Sequence, residues 1–169
     1  MTAPRRVAIG FGSSLGPRRR HIERAVRALD RAPGLVLLRC SRLVRTPPMR
    51  GGTASGWFLN AVGLYECQLT PLEVLELCRN LENAAGRRRQ RYWGDRTLDL
   101  DVLLDETCTV RTPSLTVPHP AIAKRPFVFG PLLEVWPDAT HPDTGQRYAD
   151  KPSLSGPMAV ACGVLARPG

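Results

Sequence analysis

From Thr97 to Leu104 the chain alternates residue by residue, with Leu98, Leu100, Val102 and Leu104 on one side and Thr97, Asp99, Asp101 and Leu103 on the other. That is the period of a half-buried β-strand, so one face must find a core and the other must present two carboxylates. Residues two apart on a strand have Cα atoms roughly 6.6 Å apart, which lets both carboxylates reach one small volume in front of a sheet. Arg87, Arg88, Arg89, Arg91 and Arg96 stand around the start of this run. Carboxylates that close call for a cation and clustered guanidiniums for an anion, and a metal-bound polyphosphate satisfies both. Taken alone, a carboxylate pair on a wet strand face or a basic run is more often merely solvated.

A length of 169 residues supports one well-buried core rather than two. A single domain over residues 1–169 is therefore expected, with 150–169 as a loosely packed tail. Lys and Arg number 24 against 15 Asp and Glu, and the only lysines are Lys124 and Lys151. An arginine-dominated charge of +9 favours anionic partners, either phosphate ligands or nucleic acid, without choosing between them. The cysteines Cys40, Cys67, Cys78, Cys108 and Cys162 are odd in number, scattered, and lack zinc-ligand spacing, which suggests a reducing compartment. No apolar run approaches the ~18 residues of a membrane span, so a soluble, cytoplasmic protein without a membrane partner is expected.

The remaining elements follow from periodicity and punctuation. Val7 to Phe11 reads as a first strand, and Gly10 to Gly16 as a tight glycine turn, since it lacks the spacing of a phosphate loop or dinucleotide fold. Ile22, Ala25, Val26 and Leu29 share one helical face, which Pro17 opens and Pro33-Gly34 closes. Leu35 to Thr46 reads as a second strand and Phe58 to Leu69 as a third, with a loop from Pro47 to about Gly56 between them. Thr70-Pro71-Leu72-Glu73 is a capping box, and Val74, Leu75, Cys78, Leu81 and Ala85 form the buried stripe before Gly86. The Asp-bearing strand follows, then a proline-pinned Thr116 to Pro120, a partly helical Phe127 to Trp136, and a late strand within Met158 to Leu165. This order predicts an α+β, ferredoxin-like β-α-β-β-α-β antiparallel sheet with helices packed on it and C-terminal additions.

Asp99 and Asp101 suit magnesium, which takes one or two protein carboxylates and fills its octahedron with water and phosphate oxygens; they would make a poor closed zinc site. Trp93-Gly94 in the basic loop suggests a segment that folds over a flat ligand. His119 is held by Pro118 and Pro120, although a lone histidine is commonly a capping or surface residue, and Phe58 and Phe127 would ordinarily count as core.

Four segments in order resemble the 6-hydroxymethyl-7,8-dihydropterin pyrophosphokinase family: Gly12-Ser13-Ser14-Leu15-Gly16; Arg45-Thr46-Pro47-Pro48-Met49 with Phe58-Leu59-Asn60; Gly86-Arg87 with Trp93 through Asp101; and Leu115 through Pro120 with Arg125-Pro126-Phe127. The resemblance runs over about residues 5 to 148. It implies transfer of pyrophosphate from ATP to the pterin alcohol with release of AMP in folate biosynthesis, with ATP as co-substrate and two Mg2+ ions held by Asp99 and Asp101. It makes Arg87 and Arg96 catalytic beside those aspartates. Leu75, Glu82, Arg96, Val102, Thr116, His119 and Arg125 become ATP contacts, and Thr46, Pro47, Phe58, Asn60, Asp99 and Phe127 become pterin contacts. The loops at Met49 to Gly56 and Arg87 to Trp93 become candidates to close over substrates. Ser14 stands where the family usually has asparagine, Arg79 where glutamine is common, Asp95 where proline is usual, and Ser114 where some members have arginine.

Two other readings stand beside this one. A basic ferredoxin-like sheet also serves RNA binding, although the strands lack the paired surface aromatics that stack bases. A paralogous pyrophosphokinase for another pterin alcohol would keep the chemistry and change the substrate. The expectation is a monomeric enzyme of small molecules, without a nucleic-acid partner.

Overall fold

The structure, a computed structural model, describes residues 1–47, 56–86 and 94–152 and the backbone of 160–164. In chain order the elements are β1 (Arg5–Ser13), α1 (Arg18–Asp30), β2 (Leu35–Cys40), β3 (Arg42–Thr46), β4 (Phe58–Cys67), α2 (Pro71–Ala84), β5 (Asp99–Asp105), β6 (Val110–Thr112), β7 (Leu115–Val117), α3 (Pro126–Val135) and β8 (Val160–Val164). The sheet runs β5-β1-β4-β3-β8, with β2 beside β3 on the same edge of β4, and every pairing is antiparallel. This is the ferredoxin-like order, with β8 added outside β3.

α1 buries Ile22, Ala25, Val26 and Leu29, the four positions of its sequence stripe. Ile22 and Leu29 are fully enclosed, each contributing about 1.5–3 kcal/mol of apolar burial. α2 begins in the predicted capping box: the Thr70 hydroxyl accepts from Glu73 N at 3.3 Å and the Glu73 carboxylate accepts from Thr70 N at 2.7 Å. Both helices cover one sheet face over Val7, Ile9, Phe11, Leu100 and Val102. α3 covers part of the other face, over Ala8, Val62, Leu64, Leu103 and Leu104. The rest of that second face carries the cavity described below.

Three local expectations change. The stretch Leu35 to Thr46 is two strands, because Ser41 breaks the ladder with one extra residue between the pairs Cys40–Gly63 and Val44–Asn60. The Ser41 hydroxyl takes over as acceptor for Val62 N at 2.9 Å, so the bulge leaves no orphan donor there. Leu104 leaves the side of Leu100 and Val102 and joins Leu103 in the α3 cluster. The cause is a second bulge: Ala8 faces Leu104 while Ile9 faces Val102, so Leu103 is the extra residue and the alternation flips beyond it. Finally, Gly10 and Gly12 belong to β1, and the turn proper follows it at Gly16, with φ +64°.

The pairing of β1 with β5 is pinned at its far end by a buried ion pair, Arg5 Nε to Asp105 Oδ2 at 2.8 Å. Asp105 Oδ1 also accepts from Thr107 N at 3.0 Å and Cys108 N at 3.1 Å, which forms the turn leaving β5. Thr116 and Val117, read in the sequence as part of a rigid segment, form the second arm of the small β6–β7 hairpin.

Candidate active site

Between the sheet and α3 lies a cavity of about 270 Å³. Its floor is the backbone of Gly10 and Gly12 on β1. Asp101 stands opposite Gly10 and Asp99 opposite Gly12 on β5, while Asn60 on β4 stands opposite Gly12 from the other side. Two aspartates on one strand face thus look across glycines toward an amide. Thr46, Pro47 and Phe58 close the β3–β4 side, and Phe127 and Val128 at the start of α3 close the other. Arg96, His119 and Arg125 add cationic or protonatable groups around the aspartates.

Local bonds fix several of these groups. Asn60 Nδ2 donates to Thr46 Oγ1 at 3.0 Å, so the Asn60 amide oxygen is left as the acceptor on the side of Gly12. Arg96 Nη1 donates to Asp99 Oδ2 at 2.7 Å. His119 Nδ1 accepts from Ala121 N at 3.1 Å, and the His119 backbone N–H donates to Leu103 O at 2.7 Å. A neutral His119 therefore carries its ring proton on Nε2. Burial, opposed by Asp101, holds His119 below the ordinary histidine range. Burial and then the like charge of Asp99 push the Asp101 carboxyl above the ordinary carboxylate range, against the pull of His119, Arg125 and Arg96.

The cavity gathers Arg96, Asp99, Asp101, His119 and Arg125 with Thr46, Pro47, Phe58, Asn60 and Phe127. It does not gather the other four nucleotide candidates. Val102 and the half-buried Leu75 lie in the core on the α2 side of β5, and Thr116 is exposed on β7. The buried Glu82 reaches from α2 and accepts from Leu100 N at 2.8 Å, gripping the peptide between the two aspartates. Arg87 and the basic loop through Trp93, like the stretch 48–55, lie outside the described residues. Sequence reasoning missed Gly10 and Gly12 as floor residues. Their Gly-x-Gly spacing matches Asp-x-Asp, a signal that acquires meaning only with the register.

A strained pair of carboxylates beside guanidiniums fits a hard divalent cation with oxygen ligands. Among the described residues no cluster of three or more His, Cys, Asp or Glu exists, so the donor set suits magnesium completed by water and phosphate oxygens rather than an all-protein cage.

Comparison with known proteins gives a consistent result. Residues 8–137 match the family described as 7,8-dihydro-6-hydroxymethylpterin-pyrophosphokinase. A 2-amino-4-hydroxy-6-hydroxymethyldihydropteridine pyrophosphokinase of Methylorubrum extorquens is 41% identical over 133 residues, covering 79% of this chain and 84% of the relative. The Bacillus subtilis protein of the same name is 37% identical over 127 residues, covering 75% of each. Among solved structures, the wild-type Plasmodium falciparum HPPK-DHPS chain with pterin and p-hydroxybenzoate aligns with a TM-score of 0.66 at 11% identity. That alignment covers 88% of this chain and 42% of the larger one, and supports the fold. With a match across most of its length and relatives well above 30% identity, the chain belongs to the 7,8-dihydro-6-hydroxymethylpterin-pyrophosphokinase family.

Proposed function

We propose that this protein transfers pyrophosphate from ATP to the hydroxymethyl group of 6-hydroxymethyl-7,8-dihydropterin, releasing AMP, as a step of folate biosynthesis. The observation that carries this reading is the meeting, in one cavity, of the Asp99 and Asp101 carboxylates with Phe58, Phe127 and Asn60. A flat heterocycle gains from aromatic faces above and below, and the free amide oxygen of Asn60 accepts from a ring N–H at its edge. Thr46 and Pro47 border that end of the pocket. The pterin alcohol is thereby aimed at the aspartates.

Arg96 and Arg125 would take phosphate oxygens through their guanidinium forks, and His119 would donate from Nε2. Arg87 is proposed to join Arg96 in stabilising the transferring group. The nucleoside end of ATP would run past the edge of β5 toward Thr116 and Leu75, with Val102 and Glu82 supporting that strand from beneath. Asp99 and Asp101 would hold two Mg2+ ions, which supply charge neutralisation on the attacked phosphoryl group. The hydroxymethyl oxygen gives up its proton to solvent and joins the β-phosphorus as the bridge to the α-phosphorus breaks, with the bridging oxygen leaving on AMP. The protein's own share is position and charge, and no covalent intermediate is required. The protein is read as a monomer, and the free thiols of the described cysteines fit action in a reducing cytoplasm.

Incubation with Mg-ATP and the pterin alcohol should yield AMP. Formation of ADP, or absence of pterin-dependent turnover, would overturn the reading. Salt-sensitive RNA binding in place of turnover would favour the nucleic-acid alternative.

A further inference from the structure

The last ladder pair between β1 and β5 is Gly12 with Asp99, yet the two chains stay joined beyond it. Ser13 and Ser14, both buried, make the junction. Ser14 N donates to Arg96 O at 2.8 Å, and Arg96 N donates back to Ser14 Oγ at 2.8 Å. Leu15 N shares the Arg96 carbonyl at 3.1 Å, and Ser13 Oγ donates to Thr97 O at 2.6 Å. The peptide groups on both sides of Arg96 are therefore immobilised by a segment 82 residues away in sequence. The Arg96 guanidinium in turn holds Asp99 Oδ2 at 2.7 Å. Ser14 is itself braced, since its carbonyl accepts from Arg18 Nε at 2.8 Å at the start of α1.

We infer that Ser13 and Ser14 are positioning residues for the phosphate and metal end of the site: they fix the Arg96 main chain, and through the Arg96 side chain they fix the orientation of Asp99. The inference rests on the pyrophosphokinase reading above. It separates the two ends of the cavity, because the hydroxyls of both serines bond the Arg96–Thr97 backbone and not Phe58, Asn60 or Phe127, although the Ser13 backbone pairs with Leu59 on β4. Loss of the serine oxygens acts on the cation and nucleotide, and reaches the pterin only through Asp99, leaving its stacking and edge contacts in place. A clamp that served folding alone would affect both ends alike.

Ser14→Ala deprives the Arg96 N–H of its acceptor, whereas Ser14→Thr keeps an oxygen in place. For Ser14→Ala, kcat should fall and half-saturating Mg2+ should rise, each by about tenfold, the scale typical of losing a group that orients a metal ligand. The KM for the pterin should stay within about twofold, and Ser14→Thr should recover most of the loss. Mn2+ affinity in the presence of a non-hydrolysable ATP analogue, read by electron paramagnetic resonance, should weaken in parallel for Ser14→Ala. Ser13→Ala removes only the bond to Thr97 O and should show the same pattern more weakly, which keeps the test open should Ser14→Ala not fold. Unchanged Mg2+ dependence and Mn2+ affinity, or a uniform loss at both substrate ends, would overturn the assignment. The Mn2+ comparison decides it even if the wild-type protein makes no AMP, an outcome that would overturn the proposed function instead.

Discussion

Asp99 of β5 and Asn60 of β4 face each other across Gly12 of β1, paired to it from opposite sides. A Cβ on Gly12 would lie 3.5 Å from the Asn60 amide oxygen and 3.7 Å from Asp99 Cβ, which is ordinary contact. Alanine therefore fits the fold but stands on the floor where a ring would rest. Gly12→Ala should leave stability within about 1 kcal/mol of wild type, since strand glycine is itself unfavourable. It should raise the KM for the pterin about tenfold, near 1.4 kcal/mol of lost binding. An unchanged KM in steady-state kinetics would show that the substrate does not touch this floor.

Burial and then the Asp99 charge oppose ionisation of Asp101. Asp101→Asn should reduce turnover by about a thousandfold or more, because the proposed cation site loses one of its two carboxylates. The ligand-free protein should become more stable, with Tm rising about 2–4 °C for each kcal/mol of relieved repulsion. Calorimetry without metal, set beside the AMP assay, reads both effects. Near-normal turnover in this variant would remove Asp101 from the metal site.

Phe127 is only half-buried and lines the cavity at the first turn of α3. Phe127→Ala should weaken pterin binding by about 1–3 kcal/mol, the worth of one stacked ring, while the affinity for Mg-ATP stays close to wild type. Isothermal titration with each substrate separately checks the split. Equal losses for both ligands would argue for collapse of α3 instead.

Burial pushes the Cys78 thiol up to about 12, with the Glu82 and Asp101 charges adding to it, and burial followed by the Glu134 charge does the same for Cys40. An unfolded chain ionises its thiols near pH 8.5, whereas the folded chain keeps these protonated to about 12. These two thiols release their protons in that window only in the unfolded state, so their contribution to stability falls as pH rises through it. The slope is at most about 1.4 kcal/mol per pH unit for each thiol. Urea midpoints measured from pH 8 to 11 should decline, and Cys78→Ala should decline less steeply. Identical slopes for the two proteins would refute the assignment of this loss to Cys78.

What could be read from the sequence was whatever is encoded by neighbours. The Ile22, Ala25, Val26 and Leu29 stripe, the Thr70 and Glu73 capping box, and the placement of Asp99 and Asp101 on one strand face all depend on spacing within a few residues, and the structure has each of them. The family motifs carried the cavity list further, to Asn60, Phe58 and Phe127. Those residues come from two segments far apart in the chain, and no periodicity in either segment could have assembled them.

Register belonged to the tertiary structure. Alternation gives the side of a strand on which each residue lies, but it does not say which residue of another strand stands opposite. Nor does it reveal where an extra residue slips in. The extra Leu103 moves Leu104 to the other core, and the extra residue at Ser41 divides β2 from β3. The same ladder sets Gly12 against Asp99 and carries Ser14 onto the backbone of Arg96. Hydrogen-bond partners so distant along the chain are chosen by the summed packing of both sheet faces and by the buried Arg5–Asp105 pair at the ladder's end. The sequence alone determined that two carboxylates share a face, and only the folded sheet decided what they look upon.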